Sequence, residues 1–295
     1  MSSLIAGAPG QWSVEQAYEH CRNLARTHYE NFTVGSRFLP REKRPHLYAI
    51  YAFCRFVDDL GDEAEGDRLS LLERWEEELL RCYGSIPVHP IMVALQQTIR
   101  TFDIPMEPFL KLIEANRIDQ RQPTHPSYAD LLHYCQHSAN PVGHLFLYLF
   151  GYRDEERQRL SDATCTALQL VNFWLDVRRD LELGRIYIPL EDMERFGVSQ
   201  AQLKAASADD SFRELMRFEV DRARELFKEG AELVDRVDGI ARLDITLFTK
   251  GGLYILDAIE GQGYDVLRRR PTLSKWAKTR LLLGTAAGLK LKGRA

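Results

Sequence analysis

The chain has 295 residues, 45 % of them hydrophobic and 28 % charged, enough to bury a sizeable core beneath a solvated surface. Its 43 acidic and 39 basic residues leave a formal net charge of -4, which argues against nucleic acid as the main partner, since a phosphate-binding footprint makes a domain clearly basic. Five scattered cysteines, Cys21, Cys54, Cys82, Cys135 and Cys165, form no pattern of zinc spacing, so reduced thiols in a cytoplasmic protein are expected.

Helical periodicity runs along the whole chain, and strand-like alternation is almost absent. Ser13 is placed to cap a helix towards Tyr29, and Pro40 and Pro45 punctuate the entry to a second over His46–Asp62. Further helices are predicted over Leu69–Tyr83, Pro90–Phe102, Met106–Gln120, Tyr128–His137, Gly143–Phe150, Glu155–Leu183, Ser211–Val237, Asp244–Glu260 and Ser274–Leu289. The turn signals Gly84–Pro87, Pro123–Pro126, Gly151–Asp154 and Gly261–Gly263 fall between them. No signal peptide is evident in MSSLIAGAPGQWSVEQ, and no stretch approaches the roughly 20 apolar residues that span a bilayer. The Leu281–Leu289 patch, flanked by Lys and Arg, reads as a terminal helix or at most a surface contact with lipid. The expected architecture is all-α: one helical domain over residues 1–295, with its core at about 13–289 and a central cavity between helices.

Two helices carry acids where apolar residues surround them. On the second, Tyr51, Arg55, Asp58 and Asp62 share one stripe at about 100° per residue, with Asp59 at its edge and Glu63 farther round. On Glu155–Leu183, Gln169, Asn172, Asp176 and Asp180 follow the spacings i, i+3, i+7 and i+11, among Leu168, Leu170, Val171, Phe173, Trp174, Leu175 and Val177. A helix this apolar belongs inside, and a carboxylate there needs a partner or loses its charge. Acids at i and i+4 stand one turn apart, with Cβ atoms roughly 5–6 Å from each other. That suits Mg2+, which takes one or two carboxylates and completes its shell with water and phosphate oxygens. Two such helices facing each other would hold a diphosphate through several ions. The alternative is a salt-bridged surface face, with Arg178 and Arg179 on Asp176 and Asp180, and Arg55 on Asp58 or Asp59.

The segments Tyr51–Asp62 (YAFCRFVDDLGD) and Gln169–Pro189 (QLVNFWLDVRRDLELGRIYIP) resemble the paired signatures of squalene and phytoene synthases, and the similarity runs from about Tyr18 to Ser274–Lys278. The resemblance implies an all-α isoprenoid synthase fold that joins prenyl diphosphates head to head. It implies that Asp58, Asp62, Asp176 and Asp180 coordinate magnesium and that Gln169 and Asn172 line the same site. By the same resemblance, Tyr51, Arg55, Tyr254 and Arg270 contact the diphosphate or its metal-bound waters. Three stretches depart from the usual pattern: Leu175 precedes Asp176 and Arg179 precedes Asp180; Ser138–Gly143 reads SANPVG; and His28–Pro40 reads HYENFTVGSRFLP. Together they look most like the hydroxysqualene synthases of bacterial hopanoid pathways. Such an enzyme ionises presqualene diphosphate and quenches the rearranged carbocation with water.

Ser138 and Asn140 are candidates for positioning that water, or else caps for a helix beginning at Pro141. Phe53 and Phe173 could face a cation, although aromatic residues at helical spacing are commonly core. His20, His28, His46, His125, His133, His137 and His144 show no metal spacing. Neither Lys250-Gly251-Gly252 nor Gly261-x-Gly263 forms a nucleotide motif, so nothing implies NADPH. The rival readings are a relative making presqualene diphosphate, dehydrosqualene or phytoene from a prenyl diphosphate such as farnesyl diphosphate, and a non-catalytic assembly factor on the same fold.

Overall fold

The structure is a computed structural model that describes residues 10–27, 39–272, 280 and 284–285. The described residues form helices and no named strand, with one isolated bridge between Thr124 and Ile186. The all-α class expected from the periodicity is therefore the class observed.

The helices are α1 (Val14–Thr27), α2 (Arg44–Asp62), α3 (Arg68–Gly84), α4 (Pro90–Phe102), α5 (Glu107–Arg121), α6 (Tyr128–Ser138), α7 (Asn140–Leu149), α8 (Glu155–Glu182), α9 (Leu190–Arg195), α10 (Gln200–Leu203), α11 (Asp210–Gly230) and α12 (Gly239–Gly261), with a 3-10 turn at Ala231–Asp235. Their starts have local causes. Asp67 accepts from Ser70 N at the head of α3, and Ser127 and Asp130 form a reciprocal capping box on α6. His89 caps α4 by accepting from Ile91 N, beside Pro90 in the first turn.

Three expectations are corrected. The predicted Ser211–Val237 helix ends at Gly230 and tightens into the 3-10 turn, a common ending because the last carbonyls lack α-type partners. Helices α9 and α10 were not predicted, since six and four residues are too few for a 3.6-residue period to register. Ser138 and Asn140 are not caps: Ser138 closes α6, and Asn140 already lies in α7. His28, Tyr29 and most of the HYENFTVGSRFLP stretch lie outside the described residues. So does the Ser274–Leu289 helix, apart from Arg280, Gly284 and Thr285.

The chain folds as two compact units, Met1–Arg121 with Pro141–Asp154, and Gln122–Asn140 with Glu155–Ala295. In the first, α1, α2 and α4 pack together and α2 also packs on α5. Phe53 stacks on Trp75 at 6.0 Å between centroids and meets Phe109 edge-on at 5.1 Å. All three rings are fully buried, each contributing about 1.5–3 kcal/mol by leaving water. Phe53 is thus core.

In the second unit α8 lies along α11, and α12 packs on both. A Cβ at Gly252 would stand 2.2 Å from Cζ of buried Phe227, so only glycine lets α12 come this close to α11. Phe173 lies flat on Tyr187, 3.9 Å away at 10°. One of its faces is therefore covered by a neighbouring ring, the arrangement of a core aromatic. The five cysteines are free thiols, three of them buried. Among the described residues no helix is long and apolar enough to cross a membrane.

Candidate active site

The acids of the first unit sit on the last turns of α2, where the helix turns from buried to accessible. Val57, Leu60 and Gly61 are buried there, while Asp58 is exposed and Asp59 and Asp62 are half-buried. Asp59 and Asp58 are adjacent in sequence but have different partners. The Arg55 guanidinium lies 2.5 Å from Asp59 Oδ1 and 2.8 Å from Glu63 Oε1, so this arginine serves the edge of the stripe. Asp58 instead accepts from the neutral amide of Asn116, Nδ2 to Oδ1 at 3.3 Å. Asp62 ends the helix, and its carbonyl accepts from Arg68 Nη2 at 2.9 Å, a cation at the negative end of the helix dipole.

Asp58 is open to solvent on one side, yet protein crowds its carboxylate closely enough to penalise the charge. Lost solvation pushes its pKa up to about 7, against the pull of the Asn116 hydrogen bond, with Asp62 adding repulsion. Tyr51, half-buried two turns earlier, has its phenol raised, first by desolvation.

In the second unit, α8 does not carry its acids on an unbroken stripe. Asp176 has φ -107° and ψ 15°, outside helical values, and bends the helix there. Gln169 is half-buried and Asn172 exposed on the segment before the bend; Asp180, half-buried, follows it. Arg270 grips Asp176 from 94 residues away, Nε to Oδ1 at 2.6 Å and Nη2 to Oδ2 at 3.0 Å. Arg178, which the sequence offered to Asp176 or Asp180, donates instead to the Ala205 carbonyl at 2.5 Å. Asp180 borders a small recess with Phe173, Val177, Arg185 and Tyr187. Tyr254 is half-buried on α12.

Ser138 and Asn140 are in different situations. The Ser138 hydroxyl is buried without a hydrogen-bond partner among the described residues. Asn140 is 7 % exposed, and its Oδ1 accepts from Thr166 at 2.9 Å.

These donor sets suit a hard cation that brings its own ligands. Among the described residues no group of three or more His, Cys, Asp or Glu could hold a metal, whereas a structural zinc needs four protein ligands. A pair of carboxylates per helix is what Mg2+ accepts when phosphate and water supply the rest. Asp58 fits that role, because its hydrogen-bond partner is a neutral amide and a bound cation would offset the desolvation that raises its pKa.

A family model for squalene/phytoene synthase matches residues 25–277. The chain belongs to the squalene/phytoene synthase family. Among solved structures, it is similar to squalene synthase HpnC from Alicyclobacillus acidocaldarius, with 52 % identity and TM-score 0.82 over 85 % of this chain and 95 % of that one. A dehydrosqualene synthase crystallised with a ligand matches with 27 % identity and TM-score 0.86, over 94 % of this chain and 98 % of that one. A 15-cis-phytoene synthase of Synechocystis is 34 % identical over 274 residues, covering 88 % of this chain and 81 % of the relative. The all-α squalene/phytoene synthase fold thus carries both signatures, one in each unit.

Proposed function

We propose that this squalene/phytoene synthase relative is a hydroxysqualene synthase that converts presqualene diphosphate to hydroxysqualene and diphosphate. The observation that carries the reading is 52 % identity to squalene synthase HpnC, against 34 % to the Synechocystis phytoene synthase. The SANPVG departure at Ser138–Gly143 supports it as well.

Asp58, Asp62, Asp176 and Asp180 are assigned to holding Mg2+ against the diphosphate, which stabilises charge on the leaving group when bound. Tyr51, Arg55, Gln169, Asn172, Tyr254 and Arg270 are assigned to the diphosphate and its waters. The carbon–oxygen bond breaks with its electron pair leaving on the diphosphate. The carbocation then rearranges, and a water oxygen forms the new carbon–oxygen bond and loses a proton. Water must be withheld until that stage, and Ser138 and Asn140 are assigned to positioning it. A cytoplasmic enzyme touching the membrane surface suits so apolar a product; co-sedimentation with liposomes tests this, and recovery of all protein in the supernatant would count against it.

The second reading is a head-to-head synthase making presqualene diphosphate, dehydrosqualene or phytoene, favoured by the phytoene synthase relatives. The test is incubation with presqualene diphosphate, and separately with farnesyl diphosphate, with and without Mg2+, followed by mass spectrometry of the products. Magnesium-dependent hydroxysqualene from the first substrate is expected. Conversion of farnesyl to presqualene diphosphate, with no hydroxysqualene from presqualene diphosphate, would sink the proposal. No diphosphate release from any prenyl substrate would favour an assembly factor.

A further inference from the structure

We infer that Asn116 is a positioning residue that sets the orientation of the Asp58 carboxylate, and that Gly61 is glycine so that it can. This rests on the reading of Asp58 as a metal-binding carboxylate.

The three residues form one device in the first unit. Asn116 lies on α5, is 7 % exposed, and carries its amide across the backbone of α2. A Cβ at Gly61 would stand 2.1 Å from Asn116 Oδ1, 2.9 Å from its Cγ and 3.2 Å from its Cβ. No other residue at 61 leaves the amide where it is. With Oδ1 lodged against the glycine, Nδ2 points to two acceptors, Asp58 Oδ1 and the Leu112 carbonyl, each at 3.3 Å. Reversing the amide would set its oxygen against both, so the acceptors determine its orientation. One turn along α5, Gln120 Nε2 donates to the Gly61 carbonyl at 2.9 Å, which holds the two helices together at the glycine.

Asn116 thereby differs in kind from Arg55. The guanidinium on Asp59 pairs with a charge; the amide on Asp58 fixes a carboxylate oxygen without putting a competing cation on it. Such outer partners of metal-binding side chains act through ligand orientation, and their loss weakens metal binding by about 10-fold or more.

The test is Mn2+ binding followed by electron paramagnetic resonance on the full chain with inorganic diphosphate present, alongside thermal unfolding. N116L, and N116A as the smaller change, are expected to weaken Mn2+ binding about 10-fold while remaining folded. G61A should do the same by displacing the amide, and adding it to N116A should weaken binding no further. Q120L should lower the unfolding temperature without changing Mn2+ binding. If Q120L weakens Mn2+ as much as N116L, the effect is general loosening of α2 against α5 and the inference fails. Wild-type Mn2+ binding by folded N116A and N116L also overturns it, provided D58N binds more weakly. If D58N itself binds as wild type, the metal-site reading fails and the inference with it.

Discussion

Arg270 closes on Asp176 in a two-pronged pair, one guanidinium nitrogen on each carboxylate oxygen, at the residue where α8 leaves helical geometry. Bidentate pairing of this kind fixes direction as well as attraction. The Arg270 side chain is 52 % exposed, so its removal is expected to cost only about 0–1 kcal/mol of stability. On the proposed function R270Q should raise KM for the prenyl diphosphate and reduce kcat/KM by about 10-fold or more, a difference of at least ~1.4 kcal/mol. Steady-state kinetics and chemical unfolding of the same variant separate the two effects. A stability loss above ~3 kcal/mol with unchanged KM would make Arg270 purely structural, since exposed pairs contribute far less.

The acidic pairs should be necessary one by one. D58N and D176N each keep size and hydrogen-bonding capacity but remove the charge a cation needs. Diphosphate release is expected to fall at least ~100-fold in either variant, with little change in the unfolding temperature. Colorimetric detection of released diphosphate checks this. Persistence of release in both variants would overturn the assignment.

Two buried carboxyls away from the signatures make stability depend on pH. Asp244 is 1 % exposed, neither carboxyl oxygen has a partner among the described residues, and burial pushes its pKa up to about 7. Glu219, fully buried, is raised to about 8, first by burial and against the pull of Arg222, whose Nη1 lies 3.6 Å away. Unfolded carboxyls titrate near ~4, so between that pH and the raised values the folded chain binds the extra protons. Stability is then fully present below pH ~4 as far as these two groups go, and falls as pH rises towards 7 and 8. Unfolding temperatures across pH 5–9 should fall less steeply in D244N than in wild type. A wild-type slope in D244N would exclude Asp244 as a source.

Helix spacing predicts a packing defect at one glycine. G252A places a methyl group into Phe227, 1 % exposed, and is expected to destabilise by about 1–3 kcal/mol. Adding F227L should recover part of that loss in urea unfolding. No recovery would mean that another contact is responsible.

Ser138 and Asn140 should separate in their effects. N140A leaves the Thr166 hydroxyl without its acceptor in a buried setting, a cost of about 1–3 kcal/mol. S138A removes a hydroxyl that has no partner among the described residues, so stability should change little. On the proposed function it should lower the share of hydroxylated product. An unchanged product ratio would exclude Ser138 as the residue that directs water.

The acids were legible in the sequence because i,i+4 spacing and apolar neighbours are properties of a single helix. Arg55 on Asp59 was legible for the same reason, being one turn apart. Asn116 was not: it is an ordinary polar residue of α5, and its link to Asp58 spans 58 positions. The bend at Asp176 gave no warning either, with neither proline nor glycine from Leu175 to Asp180. His89 could have been found, since Pro90 already marked the first turn of α4.

Sequence alone therefore determined the long helices, the all-α class and the acids at one-turn spacing, because propensity, capping and periodicity act within a few residues. Tertiary structure decided what each acid meets. Asp58 receives an amide because Gly61 lets α5 approach α2, and Asp176 receives a guanidinium delivered from far along the chain. Those partners set how each carboxylate is oriented and what surrounds it, and they exist only once separate helices pack.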